Sequence, residues 1–337
     1  MQRQMRVIQG TALEARPRSG IESAYDHFRL EWQGELVSQS TLEHYDYMVQ
    51  PFLDWLRREQ PEVRRFEDLD VAVVRGYRAV LAAGRRRDGR QLAARTVFDG
   101  HRALLTFFRW AEAQGYRVDS RILALKRPRV PVKAPTVYHV AQVRQILAAC
   151  NPKLPQEELA VRILVGSGIR ESELCGVAVV APDGLPDLML DSVARGRVEL
   201  RVRWDGGAKG RKSRRVPITP KLAAAIKRYE ARERPEVPHS ELLINHLGRP
   251  YHRFGIDQMM DRLKERTGLR VHAHAFRHTF ATVATKLGWN FEHLRAAMGH
   301  ADYGVLHQYV RLATERDLGS RREWSDLVVT NPAVDLV

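Results

Sequence analysis

Three histidines and an arginine occupy seven consecutive positions in His-Ala-His-Ala-Phe-Arg-His, residues 272–278. Side chains of these types can hold a metal ion, bind a phosphate, or cover the solvent-facing side of a basic helix. His274 and His278 stand four apart, so on a helix they share a flank and can bind zinc. A zinc-protease helix has Glu directly after its first His, and Ala275 stands there instead. His274 and Arg277, three apart, share a flank too, which suits an oxyanion. Other stretches supply partners for that second use. Gly-Ser-Gly-Ile-Arg-Glu-Ser-Glu, residues 166–173, sets Arg170 at a glycine-punctuated helix start with Glu173 one turn on. Gly-Gly-Ala-Lys-Gly-Arg-Lys-Ser, residues 206–213, puts Lys209 at the tip of an expected hairpin. Gly299-His300 is followed nine residues later by Tyr309.

In type and order these elements resemble the tyrosine recombinase (phage integrase) family. The resemblance is carried by Arg170 within Gly-x-Arg-x-Ser-Glu-Leu, a hairpin Lys before Gly at Lys209, His-x-x-Arg at His274–Arg277 followed by His-Thr-Phe-Ala-Thr, Gly-His at Gly299–His300, and Tyr309. A Phe-Phe-Arg-Trp-Ala helix in the first half is similar to the family's core-binding domain, so the likeness runs over residues 21–322.

The chemistry suits those residue types. Attack on a DNA phosphodiester builds negative charge on the nonbridging oxygens of a pentacoordinate phosphate. Two guanidiniums, Arg170 and Arg277, can clamp those oxygens bidentately and stay charged. His274 and His300 can add hydrogen bonds or adjust proton positions. A tyrosine phenol, here Tyr309, is a nucleophile that keeps the bond energy in a phosphotyrosine ester for religation. The resemblance gives Lys209 the task of protonating the leaving 5′-oxygen, with Lys212 as the alternative three residues along. Glu173 is read as a support for the Arg170 region, and His278 as a packing residue beside the site. Positive side chains stand where Mg²⁺ stands in other phosphoryl transfers, so neither metal nor cofactor is expected.

Two domains must position these groups. Residues 21–116 read as a helical unit. Ser40-Thr41-Leu42-Glu43 fits a capping box, and Leu42, Tyr45, Met48, Phe52 and Leu56 then recur at helical spacing. Pro51 is expected to kink or divide that helix. A second helix starts after Asp70, and a third covers residues 94–115 and ends at Gly115. Residues 117–138 hold a run with three prolines and four basic residues and read as an extended basic linker. Residues 139–322 form the catalytic domain. There Val198, Leu200, Val202 and Trp204 alternate as one side of a half-buried strand, with Arg214–Thr219 as its hairpin partner. The segment after Glu173 departs from the family's leucine-tryptophan-aspartate pattern, so strand positions before the hairpin stay open. The expected fold is α+β: a helical core-binding domain and a mostly helical catalytic domain with a small antiparallel sheet, together a C-shaped DNA clamp. Residues 1–20 and 323–337 read as tails, the first too short for a separate arm-binding domain. Leu318, Trp324, Leu327 and Val328 follow Tyr309, and the resemblance implies that such a segment docks on a neighbouring protomer.

The charge balance points to the same partner. Among 337 residues, 55 Lys and Arg outnumber 40 Asp and Glu, for a net charge of +15 and a pI near 10.2. Such a surplus favours a polyanion through counterion release. Candidate phosphate contacts are Arg85, Arg86, Arg87 and Arg90 between two helices, Lys126, Arg127, Arg129 and Lys133 in the linker, and Arg211 and Lys212 in the hairpin. No apolar run approaches the roughly 18 residues that span a bilayer. The first residues lack the apolar core of a signal peptide, so a cytoplasmic, nucleoid-associated protein is expected. Two cysteines, Cys150 and Cys175, are too few to organise the fold and read as small buried residues. The resemblance implies double-stranded recombination sites as partner, a homotetramer on DNA, and room for a directionality or accessory factor. A type IB topoisomerase shares the chemistry, and a DNA-binding accessory protein with an inactive site is the rival of another class.

Overall fold

Helix α4 (Ala94–Ala113) shows how the first part of the chain folds. Val97, His101, Leu104, Leu105, Phe108 and Ala111 return to one side of it at helical spacing, and all are buried. Gly115, at φ +85°, reverses the chain after its last turn. Against α4 pack α1 (Ile21–Gly34), α2 (Gln39–Glu59), α3 (Val71–Ala83) and the short α5 (Ser120–Leu123). Phe28, Phe52, Phe66, Phe107 and Phe108 meet in one aromatic core. The structure, a computed structural model, describes residues 20–35, 37–85, 91–131, 134–190, 198–206, 213–299 and 304–329, the side chains of 304–306 excepted.

Several local expectations change. Helix α1 is an additional element, formed because Ile21, Ala24, Tyr25 and Phe28 all face the core. Helix α2 is capped by Ser38, whose Oγ accepts the Thr41 N–H, and not by a box at Ser40. Pro51 does not divide α2, which is one helix of 21 residues. Val49, Phe52, Leu53 and Leu56 are buried on both sides of the proline, and their packing outweighs the lost backbone bond. By its own contacts the chain divides into two compact units, residues 1–133 and 134–337. Residues 117–138 are not extended throughout. Ile122 is buried in the first unit's core and Val137 and Tyr138 in the second's, since apolar side chains at each end of the segment find burial.

His101 gives the first unit a pH-dependent weakness. Its ring is fully buried. Burial, then the charges of Arg78 and Arg127, push its pKa down to about 4 against the pull of the Leu125 backbone. The unfolded chain binds this proton at the ordinary pKa and the folded chain does not. Stability is therefore intact above about pH 6.5 and falls as the pH drops toward 4, by up to about 3 kcal/mol. Thermal melting of the full chain should show this acid loss, and His101→Leu should flatten it. Parallel losses in the two proteins would remove His101 as the cause.

In the second unit the central helices are α7 (Pro155–Ser167) and α11 (Ala273–Lys286), with ten buried residues each. Around them lie α6 (Val140–Ala148), α8 (Glu171–Cys175), α9 (Pro220–Arg228), α10 (Arg253–Thr267), α12 (Phe291–Met298), α13 (Gly304–Glu315) and α14 (Arg321–Trp324). The sheet is antiparallel in the order β1 (Leu188–Met189), β2 (Val198–Val202), β3 (Arg214–Ile218). Leu200 sits across from Leu188 and Val216, so the alternating apolar positions of β2 do face the core. Trp204 lies beyond the strand and is 57% exposed. Strand β1 fills the place that the unfamiliar segment after Glu173 left open.

The C-terminal segment corrects an expectation. Leu318, Trp324, Leu327 and Val328 belong to the buried core of this same unit. The Trp324 indole donates to the Leu318 carbonyl at 2.7 Å, and the Trp289 indole to Val329 at 2.8 Å. These apolar groups are satisfied within their own protomer as far as residue 329; residues 330–337 lie outside the described residues.

Candidate active site

Gly168 begins the site. It follows α7 at φ +62°, and a Cβ there would lie 2.3 Å from the Phe280 ring. Only glycine allows the turn that delivers Arg170 as N-cap of α8. The Arg170 backbone N–H donates to Glu173 Oε2 at 2.7 Å, and its Nη1 to Oε1 at 2.8 Å. Its Nη2 reaches the Gly299 carbonyl at 3.2 Å. Arg277 enters from α11 and is 1% exposed. It donates to the Gly168 carbonyl at 2.7 Å and to the Met298 carbonyl. Burial and the nearby Arg170 charge pull Arg277 down to about 9, which leaves it cationic at neutral pH.

The histidine cluster divides its labour. His272 caps α11, its Nδ1 accepting the Ala275 N–H at 3.2 Å. The rings of His274 and His278 meet edge to face, with centroids 4.3 Å apart. Burial, then the Arg277 charge, lowers the pKa of His274 and favours its neutral form. His278 Nδ1 lies 3.1 Å from the Tyr309 hydroxyl. Among the described residues no group of three or more His, Cys, Asp or Glu is placed to hold a metal ion.

Arg170, His274 and Arg277 converge on a cavity of about 240 Å³, lined also by Glu171, Ser172 and Arg253. Tyr309 is 1% exposed and lies beside His278, outside the cavity lining. Burial raises its phenol pKa, while the charges of Arg277 and Arg170 oppose that rise. Glu173 is also buried, which disfavours its charge, but hydrogen bonds and charge from Arg214 and Arg170 outweigh burial and hold the carboxyl at about 2. Burial and the neighbouring Asp257 push Glu171, at the cavity wall, up to about 7. Sequence inspection missed Arg214, Glu171 and Arg253. Nothing in their spacing separates them from ordinary surface charges.

Lys209, Arg211, Lys212 and His300 lie outside the described residues, as do Arg86, Arg87, Arg90 and Lys133. Arg85, Lys126, Arg127 and Arg129 are exposed on the first unit. There the Lys126 carbonyl accepts Arg78 Nη1 at 3.3 Å, and Arg75, Arg78 and Pro128 line one cleft. Burial pushes both Cys150 and Cys175 up to about 12, which keeps them as unreactive thiols.

The family model described as the phage integrase family matches residues 137–316, more than half of the chain. The chain belongs to the phage integrase family. This tyrosine recombinase is 27% identical over 305 residues to tyrosine recombinase XerC of Brucella melitensis, across 86% of this chain and 90% of that one. To tyrosine recombinase XerA of Thermococcus kodakarensis it is 26% identical over 302 residues, across 89% and 93%. A lambda integrase tetramer bound to a Holliday junction shares the fold at TM-score 0.63 and 15% identity, over 90% of this chain and 79% of that one.

Proposed function

We propose that this site-specific recombinase breaks and rejoins duplex DNA through a 3′-phosphotyrosyl link to Tyr309 and a Holliday junction. The supporting observation is the meeting of Arg170, Arg277 and His274 at one cavity, with the His274 ring against His278 and His278 in turn 3.1 Å from the Tyr309 hydroxyl. In this proposal the two guanidiniums hold the nonbridging oxygens as charge develops, and His274 and His300 complete the hydrogen bonding. Glu173 anchors Arg170, and His278 holds the Tyr309 hydroxyl until attack. Lys209 protonates the leaving 5′-oxygen. The first compact unit, which includes residues 21–116, serves as the core-binding domain, and the second, which includes 139–322 and the segment through Val328, as the catalytic one. Arg85, Lys126, Arg127 and Arg129, with the basic residues outside the described set, neutralise backbone phosphates. Four protomers act together, in line with the fold shared with the lambda integrase tetramer on its junction. The protein works in the cytoplasm on nucleoid DNA; among its described residues no helix is long and apolar enough to cross a membrane.

The test begins with binding-site selection from randomised duplex DNA by the full chain. The selected site is then built with a nick beside the cleavage point, so that the cut fragment diffuses away. A denaturation-resistant protein–DNA adduct should accumulate, and its absence would refute the proposal. Lys209→Ala should be slow on this duplex yet near wild type when sulfur replaces the bridging 5′-oxygen. A thiolate leaves without a proton because its conjugate acid is several pKa units stronger than an alcohol. Rescue confined to Lys212→Ala would move the acid along the hairpin.

A further inference from the structure

Strand β3 does more than complete the sheet. Its first residue, Arg214, presents a fork to Glu173, Nη1 to Oε1 at 2.9 Å and Nη2 to Oε2 at 2.7 Å. Its Nε donates to the Ala297 carbonyl at 2.7 Å, near the end of α12. The guanidinium lies 3.2 Å from the place where a Cβ on Gly299 would stand, so it fills the space under that turn. The side chains of Arg214 and Glu173 are 10% and 0% exposed. Each Glu173 oxygen thus receives two donors, one from Arg170 and one from Arg214. A carboxylate has about four lone-pair sites, so Glu173 has no capacity left for substrate. Arg214 is also absent from the cavity lining. Neither residue is placed to touch a phosphate, and Arg170 is.

We propose that Arg214 is a positioning residue for DNA cleavage: it acts through Glu173 to aim the Arg170 guanidinium and through Ala297 to fix the turn that leads into His300. This inference rests on the cavity being the phosphate site. Arg214 begins β3, and its one guanidinium ties that strand to Glu173 on α8 and to the end of α12. Without it, Glu173 keeps only the two Arg170 donors, and Arg170 is drawn toward a carboxylate that needs it more. The charged groups facing Glu173 are Arg170 at the start of α8, Arg214 on β3 and Arg277 on α11. Loss of Arg214 removes the largest of the interactions that hold the carboxyl low. Burial then raises its pKa, and a protonated Glu173 no longer anchors Arg170.

The test uses the full chain and the nicked duplex selected with wild-type protein. Arg214→Met should cleave on the order of 10²-fold more slowly, the scale seen when a catalytic group is misplaced from a distance. Relative to wild type its rate should show an added rise with pH through the acidic range, beyond any limb that Glu171 and His274 give both proteins, because wild-type Glu173 is already ionised there. Combining Arg214→Met with Glu173→Gln should abolish that added rise. Arg214→Lys keeps the cation without the fork, so it should fold like wild type and still cleave about tenfold more slowly. Melting temperature and duplex affinity are measured alongside. An Arg214→Met pH profile parallel to wild type, or a wild-type rate in Arg214→Lys, would overturn the inference. If Arg214→Met does not fold, the Arg214→Lys rate decides alone. A wild-type chain that forms no adduct would instead defeat the assignment of the cavity.

Discussion

Tyr309→Phe is expected to bind the selected DNA as wild type does and to form no denaturation-resistant adduct at any time or pH. The ring is 1% exposed, so its packing carries most of its contribution to stability, and phenylalanine keeps all of it. The lost hydrogen bond to His278 Nδ1, 3.1 Å long, costs about 1 kcal/mol, too little to unfold the domain. What disappears is the oxygen that, in the proposed role, forms the phosphotyrosyl ester. Burial raises the pKa of the Tyr309 phenol, so the proton is present at neutral pH and, in the proposed reaction, leaves as attack proceeds. His278 is the titratable side chain in contact with that hydroxyl, and Arg277 and Arg170 supply the opposing charge. The check is a time course on the nicked duplex, with affinity measured in parallel. An adduct from Tyr309→Phe would hand the role to another residue; joint loss of binding and cleavage would indicate that the ring alone was structural.

That Arg170, His274 and Arg277 meet was legible because the phosphate chemistry proposed for them tolerates few residue types. Arg170, His274 and Arg277 stand in short motifs, and the glycine before Arg170 is required by backbone conformation and by the closeness of Phe280. Arg214 was not legible. In Arg-Lys-Ser-Arg-Arg it is one of four cations, and only the register opposite Val202 and the burial of Glu173 distinguish it from its neighbours. His278 was ambiguous for a similar reason. Its spacing from His274 fits a metal pair or a packed pair, while its hydrogen-bond partner is 31 residues away. Helix α2 shows the limit of local rules, since the breaker Pro51 is overruled by the burial of Val49, Phe52, Leu53 and Leu56. The C-terminal segment shows another. Apolar residues announce that they will be buried, but the pattern does not say in whose core.

That last ambiguity yields the second large effect. Trp324→Ala should lower the melting temperature of the full chain by on the order of 10 °C, independently of protein concentration. The indole is fully buried, donates to the Leu318 carbonyl at 2.7 Å, and shares the core with Leu318, Leu327 and Val328. Removing a buried tryptophan typically costs about 3–5 kcal/mol, a large part of the roughly 5–15 kcal/mol that holds a domain together. The loss should propagate to α6, because the Val140 N–H donates to the Leu318 carbonyl at 3.1 Å and Gly319 packs against the Val140 side chain. Cleavage and recombination should then fail together as the temperature rises, with DNA binding by the catalytic unit lost at the same midpoint. A segment docked on a neighbouring protomer makes the opposite forecast. Dilute Trp324→Ala protein would melt like wild type, cleave the nicked duplex at the normal rate, and lose only the assembly of two sites into a junction. The melting curve of dilute protein therefore decides which core Trp324 fills.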